Sequence, residues 1–356
     1  MSIAHAIAIP LGILIIAVVL FDLFASVIVP RPVPSRLLVS AYLRRFTWLA
    51  WSRLFSDLQP PRRREIVLGF FAPASVVMLL GTWLVGLIIG FGFVFFGFQT
   101  QHKPIPPTLW EASYLAGSAV LNSGYGNALT SSSIVRTVTL AAGVTGLATV
   151  AIVLAFLFSL FNSYRQRELF LVVLDARAGA PPSGVALLET HAQLDIVDDL
   201  SRFFITAQAW CGDVLETHLA YPVLCYFRST HVGESWIAGL GAILDAATLV
   251  VSTIESVPKG QAQLAHSVGA HLVDDVADYF GLLGTEQSLV ERQEFVTARE
   301  RLAAAGYTLG DEAQTWEAFR RLRATYASSL NNLARYWVID PAQWIGDRSP
   351  LGTRRD

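Results

Sequence analysis

Three long apolar runs dominate the hydrophobic pattern, at residues 7–29, 66–98 and 137–161. The first holds one charge, Asp22, and the other two hold none. A helix needs about 20 apolar residues to cross a hydrocarbon core, so each run predicts a transmembrane helix. The first is too long for a signal peptide and has no Lys or Arg before it. The second exceeds the bilayer core, which predicts tilt or ends lying in the interfaces. Its Gly86 and Gly90 have the GxxxG spacing that lets helix backbones approach closely. A fourth apolar stretch, 235–252, carries Asp245 in its middle, a costly residue at a bilayer centre, and reads as a buried helix of a soluble domain.

Beyond the third run the pattern changes. Helical spacing recurs over residues 194–219, 234–257, 262–282 and 312–338. Gly179-Ala-Pro-Pro-Ser183 predicts a break, with Ser183 as the cap of the next helix. No strand alternation and no GxGxxG fingerprint stand out. The fold class expected is therefore all-α and integral to the membrane, with three transmembrane helices and a cytoplasmic helical domain. The domains expected are 1–65, an N-terminal span with a basic amphipathic loop; 66–165, a module built on the second and third spans; and 166–356, the helical domain.

Charge sets the orientation. Residues 1–161 hold 10 Lys/Arg against 4 Asp/Glu, and residues 162–356 hold 16 against 24. The acidic second half argues against nucleic acid as a partner. Eight arginines lie in residues 30–65, Lys103 is alone in 99–133, and Arg165 and Arg167 follow the third run. Positive loops stay inside. The N-terminus and segment 99–133 are expected outside the plasma (inner) membrane, and the 30–65 loop and C-terminal domain in the cytoplasm. Within that loop, Leu37, Leu38, Tyr42, Leu43, Phe46, Leu49, Leu54 and Phe55 recur at helical spacing between arginines, which predicts an amphipathic helix on membrane lipid. It serves as a topology anchor or a lipid sensor. Asp22 is expected to pair with Arg31, Arg36 or another arginine of that loop. No arginine ladder marks a voltage sensor in the first two spans.

Between the second and third runs the order is unusual. Thr108 can cap a helix, with Glu111 three residues on as a capping box. Helix-compatible residues then run through Leu121, too few to span, and end at the polar stretch Asn122-Ser123-Gly124-Tyr125-Gly126-Asn127. A half-helix ending in irregular backbone between two spans predicts a re-entrant loop. Gly124 and Gly126 permit positive φ, so successive carbonyls can point one way and replace an ion's water shell. The half-helix would aim its negative end at a cation.

Residues 66–165 resemble the pore module of the potassium channel family. Gly124-Tyr125-Gly126 matches the core of the family's Thr-Val-Gly-Tyr-Gly filter. The resemblance implies a homotetramer with Asn122, Ser123, Gly124, Tyr125 and Gly126 as the ion filter. It implies Asn127 at the outer mouth, Trp110 and Tyr114 as filter-bracing aromatics, and Gly146, with Gly143 nearby, as an inner-helix hinge. Asn122 stands where the family has Thr, Ser123 where it has Val, and Asn127 where it has Asp. These departures remove a hydroxyl from the innermost site, make a packing side chain polar and take charge from the outer mouth. They leave potassium and other monovalent cations open as the permeant ion.

Other chemistry is sparse. His266 and His271 near Asp274 and Asp275 fit no standard metal spacing, and no catalytic set can be singled out, so neither a metal, a cofactor nor an enzyme activity is expected. Cys211 and Cys225 read as buried reduced thiols. The leading expectation is a cation channel; the alternative is a non-conducting membrane scaffold or receptor whose cytoplasmic domain binds a partner of unknown kind. Three spans are few for a transporter.

Overall fold

The first run forms α1 (Ile3–Val27), and residues after it form α2 (Val39–Phe55). The second run does not form one over-long helix. It divides at Phe70 into α3 (Pro61–Gly69) and α4 (Phe71–Gly97). Pro73 has no N–H to give the Gly69 carbonyl, which removes the helical bond that would bridge the break. A short helix, α5 (Leu109–Val120), precedes α6 (Ser133–Ala178), 46 residues long. The computed structural model describes residues 3–29, 37–98, 102–103, 108–124, 129–130, 132–230, 234–285, 290–340 and 342–344. Among these, the stretches His5–Val27, Pro61–Gly97 and Ser133–Ala178 are long and apolar enough to cross a membrane. Among the described residues the fold is all-α apart from a two-residue antiparallel pair, His102–Lys103 with Leu129–Thr130, and isolated bridge positions such as Ile254 with Leu309.

The chain divides into two compact units, residues 1–50 with 71–161, and residues 51–70 with 162–356. Segment 51–70, counted from sequence mainly with the N-terminal loop, thus packs with the C-terminal residues.

In the first unit α1 lies along α4. Their backbones meet where side chains are missing: a Cβ at Gly90 would stand 2.7 Å from Ile16 Cγ1, and one at Gly86 2.7 Å from Val19 Cγ2. Asp22 is buried, and its carboxylate accepts from the Ser40 N–H (3.1 Å), the Ser40 hydroxyl (3.1 Å) and Trp83 Nε1 (2.8 Å). An arginine was the expected partner. Among the described residues, hydrogen-bond donors take that place; Arg31 and Arg36 lie outside them. Helix α2 turns Ser40, Arg44 and Trp48 inward and leaves Val39, Tyr42, Phe46 and Leu54 exposed.

In the second unit α6 ends at Gly179, whose φ of 78° suits glycine. The break and cap follow as expected, with Ser183 accepting from the Ala186 N–H at 3.2 Å to start α7 (Gly184–Gln193). Then come α8 (Leu200–Ala220), α9 (Trp236–Ser252), α10 (Gly260–Phe280), α11 (Arg292–Ala304), α12 (Glu312–Ala324) and α13 (Ala327–Tyr336). Helix α9 is the stretch read as a buried soluble helix, and every residue from Trp236 to Val250 is buried. Asp245 at its centre accepts from Arg323 Nε (2.9 Å) and the Tyr326 hydroxyl (2.7 Å), and Arg323 also donates to the Trp344 carbonyl (2.7 Å). Burial lifts both the Asp245 carboxyl and the Tyr326 phenol above their ordinary ranges.

Three spans of helical spacing need correction, the first being 234–257, where the chain leaves α9 after Ser252 and Ile254 bridges to Leu309. Residues 194–199 form a turn through Asp195 (φ 57°) and a 3-10 turn rather than the start of α8. Residues 312–338 break at Thr325–Tyr326, where Tyr326 leaves the helix to reach Asp245. Both cysteines are free and buried, as expected, and burial pushes the Cys211 thiol up to about 12.

Candidate functional site

Helix α5 begins at the cap its sequence predicts, though Glu111 meets the Thr108 hydroxyl rather than the backbone N–H of a capping box. Thr108 caps it, accepting from the Glu111 N–H at 3.3 Å, while the Thr108 hydroxyl donates to Glu111 Oε2 at 3.2 Å. Ala112, Ala116, Ala119 and Val120 bury one face against Leu87, Phe91 and Phe95 of α4. The small alanines let the helices come close: a Cβ at Gly92 would stand 2.5 Å from Ser113 Oγ. That alanine spacing was legible, though it was not read as a packing face. The opposite face is open, with Trp110 79% and Tyr114 71% exposed in the single chain.

The end of α5 is a closed cap. The Asn122 N–H donates to the Ala119 carbonyl (3.1 Å) and the Ser123 N–H to the Ser118 carbonyl (3.1 Å). Asn122 has φ 52°. These are the two bonds and the left-handed residue of a Schellman closure, where Asn is the usual substitute for Gly. Gly124 follows at φ 92°, with nothing within 4 Å of its would-be Cβ. The chain therefore turns sharply at 122–124, and does so at residues suited to positive φ. Tyr125, Gly126 and Asn127 lie outside the described residues.

Helix α6 passes directly behind this turn. A Cβ at Gly146 would run into the Val120 carbonyl, and one at Gly143 would stand 3.1 Å from Asn122 Oδ1. Asn122 Nδ2 donates to the Gly143 carbonyl at 3.2 Å. Both glycines sit within an unbroken helix, where they make room for the end of α5. The structure thus brings together Asn122, Gly143 and Gly146. The pairing of His102–Lys103 with Leu129–Thr130 closes the loop at its other end, so the chain leaves where it arrived.

In the second unit, the loop after α8 holds a separate polar cluster. Arg167 is buried, donates to Glu168 Oε1 (2.8 Å) and to the carbonyls of Leu224 (3.1 Å) and Phe227 (2.8 Å), and meets His218 Nε2 at 3.1 Å. Burial, then the Arg167 charge, holds His218 well below the ordinary histidine range. The next loop residue but one, Ser229, donates to Glu168 Oε2 at 2.5 Å. Arg228 pairs with Glu65 of α3 at 2.6 Å. One short loop therefore holds both the segment that leads into α4 and the segment that follows the apolar part of α6. Sequence spacing showed none of these partners, which lie up to 163 positions apart. His271 pairs with Asp275 at 3.4 Å, and no cluster of three metal-ligating side chains occurs among the described residues.

Comparison with family models, with curated proteins and with solved structures returns no match.

Proposed function

We propose that the chain is one subunit of a cation channel, for potassium or another monovalent cation. Four copies would set residues 122–126 around a shared axis in the plasma (inner) membrane, with the N-terminus outside and the helical domain in the cytoplasm. One observation carries the reading: a helix too short to cross, of 12 residues, ends in a left-handed turn packed against two apolar helices within their uncharged runs. Gly143 and Gly146 lie six and nine residues into the uncharged run 137–161, about 9 and 14 Å at 1.5 Å per residue, or about a third to a half of a hydrocarbon core. Irregular backbone at that depth requires burial in protein or a wet cavity. The paired segments 102–103 and 129–130 suit a loop that dips in and returns. Trp110 and Tyr114, open in one chain, would be covered by a neighbouring copy. Helix α2, with its apolar face outward and Arg45 and Arg53 beside it, suits the surface of an anionic leaflet.

Liposomes holding the full-length protein are the test. A potassium flux that Gly124→Asp abolishes supports the reading; a wild type silent to potassium, sodium, rubidium and caesium sinks it. The second reading, a non-conducting scaffold or receptor, draws on Asn122, whose side-chain amide N–H and backbone N–H already bond within the chain. Crosslinking in mild detergent separates the two, since a monomer favours the scaffold.

A further inference from the structure

The family resemblance treats Asn122 as the lost hydroxyl of an ion site, yet the geometry uses its side chain for something else. Its backbone occupies the left-handed position that closes α5. Gly would serve that backbone equally well, as few other residues would. The amide goes further than a cap requires: Nδ2 reaches across to the Gly143 carbonyl at 3.2 Å, 21 positions along the chain. That carbonyl has a second lone pair free to accept while the α6 ladder uses the first. The neighbouring approach of Val120 O to Gly146 keeps the two helices at this spacing. A side chain at position 143 would press on Asn122 Oδ1.

We propose that Asn122 is a positioning residue whose amide ties the turn after α5 to α6 at Gly143, and so sets where the main-chain oxygens of residues 122–124 stand. The side chain is spent on the helix, and the ion at the inner end of the filter meets main-chain oxygen. Any bend of α6 at Gly143 or Gly146 would pull on that turn directly. The effect on ions rests on the channel reading above; the tie itself does not.

Two substitutions separate cap from tie. Asn122→Gly keeps the left-handed cap and removes the amide. Asn122→Asp tolerates the same backbone but sets an acceptor against the Gly143 carbonyl. In the full-length protein in detergent, Gly143→Ala should lower Tm by about 2–4 °C in the wild-type background. In the Asn122→Gly background, where Oδ1 is gone, the loss should fall to less than half. In liposomes, Asn122→Asp should change the potassium-to-sodium flux ratio by about fivefold, the equilibrium factor of one neutral hydrogen bond, and Asn122→Gly by less. Strictly additive Tm losses overturn the tie. So does a conducting wild type whose flux ratio neither variant alters. Non-additive losses with no flux through wild type leave the tie standing and remove the channel.

Discussion

The two units bury opposite kinds of contact. In the first, small residues mark the closest approaches of an apolar interior: glycines where α1 meets α4 and alanines where α5 meets the buried Leu87, Phe91 and Phe95 of α4, with Asp22 held by Ser40 and Trp83. Many of its large apolar side chains face outward, with Phe158 78%, Val77 70% and Leu147 65% exposed, while Trp83, Leu87, Phe91 and Phe95 are buried. The second unit closes over ionic groups: Asp245 with Arg323, Arg167 with Glu168, and Arg301 with Glu189. Apolar solvent gives a helix no reward for burying Leu, so close packing of small residues decides contact there. Water rewards burying α9 on all sides, and the charges carried inside must then find partners.

The largest effect should come from breaking the Asp245–Arg323 pair. Asp245→Ala leaves a fully buried guanidinium without its carboxylate, and losses of about 3–5 kcal/mol are usual for that change. Thermal unfolding of the full-length chain reads it, and Asp245→Leu combined with Arg323→Met should recover most of the loss. If Asp245→Ala costs under about 1 kcal/mol, the pair is not what holds α9 to α12.

The first unit should answer instead to an added methyl. Gly146→Ala forces a Cβ onto the Val120 carbonyl, a backbone atom that cannot swing away. Overpacking of this kind costs about 1–3 kcal/mol. Gly81→Ala, with nothing within 4 Å, is the control and should change stability by about 0.5 kcal/mol or less. Equal losses in both variants would mean that the close approach of α5 to α6 carries no energy.

These contrasts follow how legible each unit was. The spans, the Thr108 and Ser183 caps and the apolar α9 were readable because each is a local signal within a few turns of chain. Helix α11 was missed because only Phe295, Ala298 and Leu302 form its buried stripe amid charged neighbours. Helix α7 was read only through its Ser183 cap, because ten residues give a period little room to show its extent. The break at Phe70 needed Pro73 to be read as ending a bond to Gly69. Asn122 was assigned by its place in a motif, whereas its cap geometry and its bond to Gly143 depend on a chain reversal and a second helix. The partners of Arg167, Arg228 and Asp245 are set by tertiary packing, which no local pattern records.

Acid should weaken the second unit more gently. Burial is the largest cause holding His191, His218 and His266 below the ordinary range, with Arg167 adding to it at His218 and Arg177 at His191. A histidine whose folded pKa is depressed binds its proton more tightly once unfolded. Its contribution is whole above the unfolded value of about 6.5 and is lost as pH falls below that toward the folded value. Each such histidine can cost up to about 1.4 kcal/mol per pH unit in that window. The raised carboxyls of Asp213, Asp245 and Asp274 act in the opposite sense, since their cost is relieved as pH falls through their folded values. The clean measurement is therefore a difference. His218→Gln can still accept from Arg167 but does not titrate, and its stability should fall less than that of wild type between pH 7.5 and 5.5. Parallel slopes would show that His218 takes up no extra proton on unfolding.

The smallest effect on a single chain belongs to the aromatics of α5. Trp110 and Tyr114 are open to the surroundings, so Trp110→Ala and Tyr114→Ala should each move the stability of an isolated chain by about 0.5 kcal/mol or less. Their value lies in what would cover them. If four copies close around residues 122–126, those rings become buried contacts, and truncating a large aromatic there should cost about 2 kcal/mol or more of assembly. Crosslinking in mild detergent should then show wild type as a tetramer and Trp110→Ala shifted toward smaller species, with the unfolding of each chain unchanged. A wild type that is monomeric, or a tetramer indifferent to both substitutions, would make the open face of α5 a lipid-facing surface and remove the bracing role from both residues.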